Sequence, residues 1–153
     1  MAVASRVPYV QSTREVAVAK PASSASGPIT LLGRFLFVAI FLLSGPRHFL
    51  SQTIAYASAQ GVPFASIAVP ISGALAVLGA LSILLGYRAK IGAWLLVLFL
   101  LGVTPMMHAF WKATAPMAYQ MQFVMFMKNV SMLGAALVVT QLGSGPWSLD
   151  SRK

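Results

Sequence analysis

The sequence contains no cysteine and only two acidic residues, Glu15 and Asp150, in 153. The first absence excludes disulfides, thiolate metal sites and cysteine nucleophiles. The second reaches further. Eleven Lys and Arg leave a formal charge of +9, yet charged residues of both signs make up only 8% of the chain, against about a quarter in ordinary globular proteins. Too few polar groups are present to cover a water-facing surface. A nucleic-acid binder is rich in Lys and Arg, whereas this chain is merely poor in acids, so no nucleic-acid partner is expected.

What is present is apolar: 58% of residues are hydrophobic and the mean hydropathy is +0.81. Four continuous runs, at about 31–49, 66–85, 91–111 and 122–142, each approach the ~20 residues that a helix needs to cross ~30 Å of hydrocarbon. Strands crossing a membrane would alternate in polarity, and a spanning segment must satisfy its own backbone hydrogen bonds. The expectation is an all-α integral membrane four-helix bundle over 29–143, with a basic, flexible tail at 1–28 and a short tail at 144–153. Five residues, GYRAK, separate the second and third runs and force a tight hairpin. The longer connection between the first two holds Gly61 and Pro63, which can end a short interfacial helix. Pro116 reads as a breaker between the last two. The first apolar run starts too late and is too long for a cleaved secretory signal, although the acid-poor tail has some character of an organelle transit peptide.

An even number of spans returns both termini to one side. Arg6, Arg14, Lys20, Arg34, Arg88, Lys90, Arg152 and Lys153 then share that side, and only Arg47, Lys112 and Lys128 belong to the other. The positive-inside rule predicts cytoplasmic termini.

The three minority cations lie beside both histidines. Arg47 and His48 close the first run, His108, Trp111 and Lys112 the third, and Lys128 and Asn129 lie about two turns inside the fourth. These seven residues are the candidate ligand-binding set, expected to line one outward-facing vestibule. No acid falls between Glu15 and Asp150, so Lys128 has no carboxylate partner within the spans. A buried cation needs one. Candidates are helix-end carbonyls, a small anion, a quinone carbonyl, a lipid headgroup or an acidic subunit. Seven of the eight methionines follow residue 105, and Met121, Met125 and Met132 share a helical stripe with Lys128. Thioethers with histidine suit Cu(I), but Met is an ordinary filler of apolar cores, and no metal site is assigned. Small residues at Ser72, Ala76 and Ala80, and at Ser131 and Ala135, form faces for close helix packing.

The ordered pieces GRFLFVAIFLLSG, VPISGALAVLGALSILLG, YRAK, MMHAFW and MFMKNVSMLGAAL resemble the DoxX family of small four-helix bacterial membrane proteins. The resemblance covers about 29–143. It implies a multi-pass protein of the bacterial inner membrane with cytoplasmic termini, in a family linked to quinone-dependent redox systems. Many relatives carry a Glu in the second span where this chain has Ala76. The expected function is a membrane subunit of a redox-linked assembly that binds a quinone headgroup or small anion. It holds no tightly bound cofactor and is at most an accessory subunit of an oxidoreductase, with electrons supplied by a partner protein. The alternative is a non-catalytic scaffold or lipid-binding subunit that docks an acidic partner, and under either reading the chain can form an oligomer. Transport ranks behind both, because the chain shows no inverted repeat or discontinuous helix.

Overall fold

The computed structural model describes residues 26–152. The expected N-terminal tail therefore lies outside the described residues, apart from Ser26, Gly27 and Pro28, which are helical. Five α-helices follow one another: α1 (Ser26–Ser44), α2 (Ser51–Ala59), α3 (Ala65–Leu85), α4 (Ala89–Met107) and α5 (Pro116–Leu142). Short 3-10 turns occupy Gly45–Phe49, Phe110–Lys112 and Asp150–Arg152, and no strand occurs among the described residues.

Among the described residues, four segments are long and apolar enough to cross a membrane: Ser26–Phe49, Ala65–Leu85, Ala89–Lys112 and Pro116–Leu142. The protein is a membrane-embedded helical bundle. Large apolar side chains such as Leu43, Ile67, Leu98 and Val138 are exposed on its outside, which is the surface a bilayer accepts.

Prolines and glycines set the element ends. Pro46 has no N–H to offer a continuing α-helix, and α1 tightens there into its 3-10 turn. Pro116 does not break a helix as expected. It stands at the first position of α5, where no backbone donor is lost, so the helix begins before the apolar run. In the α3–α4 hairpin, Gly86 (φ +63°) and Arg88 (φ +49°) take the left-handed conformation. There the amides of Gly86 and Tyr87 donate to the carbonyls of Ile83 and Ser82, closing the end of α3.

The central pair is α3 and α4, with α1 packed on α3 and α5 on α4. The core between them consists of Val38 and Phe41, Ala76, Ala80 and Ile83, Ala93, Leu96, Val97, Phe99 and Leu100, and Ala136. Ala76 and Ala80 are fully buried, so the small face expected on α3 is in the packing. The face expected on α5 is not: Ser131 and Ala135 are exposed, and Ala136 beside them takes the buried position. At two glycines α3 and α4 also approach backbone to backbone. A Cβ on Gly79 would stand 2.7 Å from the Gly92 carbonyl oxygen, and one on Gly92 would stand 2.9 Å from that of Gly79.

The C-terminal segment is a folded closure of the terminal end rather than a tail. Leu149 and Asp150 donate their amides to the carbonyls of Leu85 and Gly86, at 3.2 and 2.8 Å. The Asp150 carboxylate accepts from the amides of Arg88 (3.0 Å) and Ala89 (3.2 Å), capping α4 and complementing its dipole. Beneath it lies Arg34, expected to be only a topology-setting cation. It is buried, donates through Nη2 to the Trp147 carbonyl, and leaves Nε and Nη1 without a partner among the described residues.

Gly79→Ala is expected to destabilise the bundle by about 1–3 kcal/mol, the range for overpacking, because a backbone oxygen cannot turn aside. Gly134→Ala, which meets nothing within 4 Å, is expected to leave stability unchanged or slightly higher. Asp150→Ala is expected to cost about 1 kcal/mol through loss of the cap. Thermal unfolding of the detergent-purified variants checks all three.

Candidate functional site

At the end of the bundle opposite the described termini, the 3-10 turn after α1 lies directly on α3. A Cβ on Gly73 would stand 2.6 Å from that of His48 and 3.0 Å from the Gly45 carbonyl oxygen. Glycine at 73 is what lets the turn approach. His48 is thereby held in place: its Nδ1 lies 3.2 Å from the Ser44 carbonyl oxygen. A carbonyl only accepts, so Nδ1 carries the proton, and Nε2 of the neutral ring keeps its lone pair. The ring meets Phe99 of α4 edge-on, with centroids 5.7 Å apart.

His48 lines a cavity of about 410 Å³ between α2, α3 and α4, with Thr53, Ser72, Phe99, Gly102 and Met107 among its other walls. Ala57 and Val69 among its walls belong, with Ala65, to a second small core formed where α2 folds onto α3. The front is open sideways. Ile71, Leu98 and Met106 line it and are also exposed on the outside of the bundle, at 54, 57 and 39%. Cavities of about 300–1,000 Å³ with apolar walls and few polar groups suit small amphiphilic ligands. Here the polar side chains are His48, Thr53 and Ser72.

The other expected site residues fall elsewhere. Arg47 is adjacent in sequence but exposed. His108 ends α4, and its Nδ1 lies 2.9 Å from Oε1 of Gln122 on α5. The next residues form an aromatic corner in which the Phe110 ring meets Trp111, Tyr119, Phe123 and Phe126 edge-on, at 5.1–5.6 Å. Trp111 and Lys112 are exposed there. Lys128 lies six residues beyond Gln122, about 9 Å along the helix at 1.5 Å per residue. It faces out of the bundle, with Nζ 3.3 Å from the sulfur of Met125. Asn129 takes the inward face and is buried.

These positions do not make the single cationic vestibule expected from the sequence. Of the seven residues, only His48 lines either of the two cavities described. The reason is helical geometry combined with desolvation. Neighbouring residues on a helix point about 100° apart, so Lys128 and Asn129 cannot both face inward, and burying the amide costs less than burying the ammonium. The methionine stripe divides similarly: Met121 and Met125 are exposed while Met132 packs on the core. Among the described residues no group of three His, Asp or Glu side chains is placed to hold a metal ion. Sequence reasoning placed Ser72 on a packing face only, and it missed Phe99 and Gly102. In a chain this apolar those two carry no periodic signal of their own, and only the seating of His48 on α3 brings the three together.

Comparison with known proteins places the chain differently from its motif resemblance. The SURF4 family model matches residues 41–153, which include α2 to α5 and the folded C-terminal segment. The chain is also 33% identical over 131 residues to the inner membrane protein YphA of Escherichia coli (strain K12), covering 84% of this chain and 93% of that protein. No solved structure matches. The resemblance to DoxX proteins is overturned by these matches, and the significance given to Ala76 against a relative's Glu falls with it; Ala76 is a fully buried packing residue. Short helix-end motifs such as SG, HAFW and KN mark where polar groups can stand at the ends of a four-span bundle, and that requirement is not specific to one family. The protein belongs to the SURF4 family.

Proposed function

We propose that this protein is a membrane subunit that takes the ring of a quinone, or an amphiphile of similar shape, from the bilayer into the cavity beside His48. The single observation that carries the reading is the cavity itself: apolar walls, a lipid-facing opening, and one imidazole whose Nε2 is not used by the hydrogen bond to Ser44. In the neutral ring, Nε2 accepts from the hydroxyl of a quinol. In the protonated ring it donates to a quinone carbonyl and stabilises charge that develops on reduction. No flavin or nicotinamide motif accompanies the site in the sequence, so electrons come from a partner protein and this chain supplies binding and orientation. Lys128, Lys112 and Arg47 are surface cations in this reading, placed to meet lipid phosphates or an acidic partner.

Titration of the purified protein with a short-chain quinone tests it. His48→Leu is expected to weaken binding by about 5–10-fold, the value of one hydrogen bond. Gly102→Phe, which fills the open side, is expected to abolish it, and Lys128→Met to leave it unchanged. Equal binding by wild type, His48→Leu and Gly102→Phe would remove the proposal.

We also propose that the protein lies in a bacterial inner membrane, which its similarity to an Escherichia coli inner membrane protein supports, with the termini in the cytoplasm, which the distribution of cations supports. The absence of native cysteine makes this directly testable. A membrane-impermeant maleimide is expected to label Gln60→Cys in intact spheroplasts, and Arg152→Cys only after permeabilisation. The reverse pattern would invert the topology.

A further inference from the structure

A second cavity lies at the terminal end, where the start of α4 meets the end of α5. This groove of about 470 Å³ is lined by Arg88, Lys90 and Ile91 on one side and by Leu142, Ser144 and Ser148 on the other. We propose that it binds the phosphate headgroup of an anionic membrane lipid. The proposal goes beyond the quinone reading and does not depend on it.

Three observations point to a phosphate. The first is charge. Lys90 and Arg88 both line the groove, and no carboxylate pairs with Lys90 among the described residues. Asp150 lines it too, but its two oxygens accept from the backbone amides of Arg88 and Ala89. With Arg88 and Lys90 against that one carboxylate the groove stays net positive, and the Lys90 ammonium has no hydrogen-bond partner among the described residues. The Lys90 stem runs past Gly143, with Cε 3.5 Å from where a Cβ would stand, which brings it to the chain turn that holds Ser144.

The second is Ser144. Its residue is 93% buried, being 7% exposed, it lines the groove, and its hydroxyl has no hydrogen-bond partner among the described residues. The nearby serines are satisfied: Ser148 Oγ donates to the Gly145 carbonyl at 2.8 Å, and Ser151 Oγ to the Ser148 carbonyl at 2.8 Å. The Ser144 hydroxyl is not among the enclosed unpartnered atoms, so it is reachable from the groove and can donate to a phosphate oxygen beside Lys90.

The third is the groove's apolar edge. Ile91 and Leu142 line it and are exposed on the outside of the bundle, at 55 and 78%. A groove with cations at its head and aliphatic side chains leading into the bilayer matches a glycerophospholipid, whose phosphate and acyl chains are joined in that order. A free phosphate would use the head alone.

The test is a binding titration of the detergent-purified full chain with phosphatidylglycerol, phosphatidylcholine and inorganic phosphate, read by native mass spectrometry and thermal shift. Wild type is expected to retain phosphatidylglycerol in preference to phosphatidylcholine and to be stabilised by it. Lys90→Gln, an exposed position that leaves the packing intact, is expected to weaken retention by about ten-fold, as the loss of one charge-assisted hydrogen bond implies. Ser144→Ala is expected to weaken it less, and Arg152→Gln, a cation outside the groove, to leave it unchanged. Inorganic phosphate that stabilises the protein as well as the lipid does would overturn the lipid assignment in favour of a free anion. Retention of phosphatidylglycerol that is equal in wild type, Lys90→Gln and Ser144→Ala would overturn the site altogether.

Discussion

The contact on which the rest of the structure depends is the backbone approach of α3 and α4 at Gly79 and Gly92. Lipid tails are as apolar as leucine, so membrane helices associate through close packing and polar contacts rather than by escaping water. A side chain at either glycine would strike a carbonyl oxygen of the opposite helix. With both absent, the two helices come together tightly enough for Ala76, Ala80, Ala93 and Leu96 to be sealed from any solvent. Both cavities are consequences. At one end the pair presents Ser72 and Phe99 to the histidine turn. At the other, the hairpin at Gly86–Arg88 offers the carbonyls and amides on which the C-terminal segment closes.

The scarcity of acids takes on a structural meaning. Asp150, the acid within the described residues, faces backbone amides at the start of α4. Arg34 donates to a backbone carbonyl. Carbonyls and helix starts thus do part of the work that carboxylates do in soluble proteins. The cations that remain sort by surroundings: Arg34 is enclosed, Lys90 and Arg88 border a groove, and Lys128 lies against a thioether on the lipid-facing side. Net charge distinguished none of these.

The four spans were legible because length and continuous apolarity suffice to fix them, and the tight GYRAK hairpin follows from its five residues. The short helix in the first connection could be read from Gly61 and Pro63. What could not be read was the face each polar residue takes. Apolar residues surround every span, so no amphipathic period marks the inside, and the depth of Lys128 along its helix said nothing about its direction. Ser131 and Ala135 were misplaced by one position for the same reason. The C-terminal segment was illegible because its order comes from long-range hydrogen bonds to Leu85, Gly86 and Arg88, some sixty residues away. Family membership was misjudged on helix-end motifs, while the family match extends through that C-terminal segment.

The central claim is that a single imidazole, fixed by Ser44 and facing an apolar, lipid-open cavity, is the working group of this protein. A density map of the chain in lipid nanodiscs with a short-chain quinone tests this most directly. The expected result is ring density between α3 and α4, with an oxygen at about 3 Å from His48 Nε2, an ordinary hydrogen-bond length. Ring density beside Lys128 on the outer face of α5, with the His48 cavity closed by its own side chains, would contradict it.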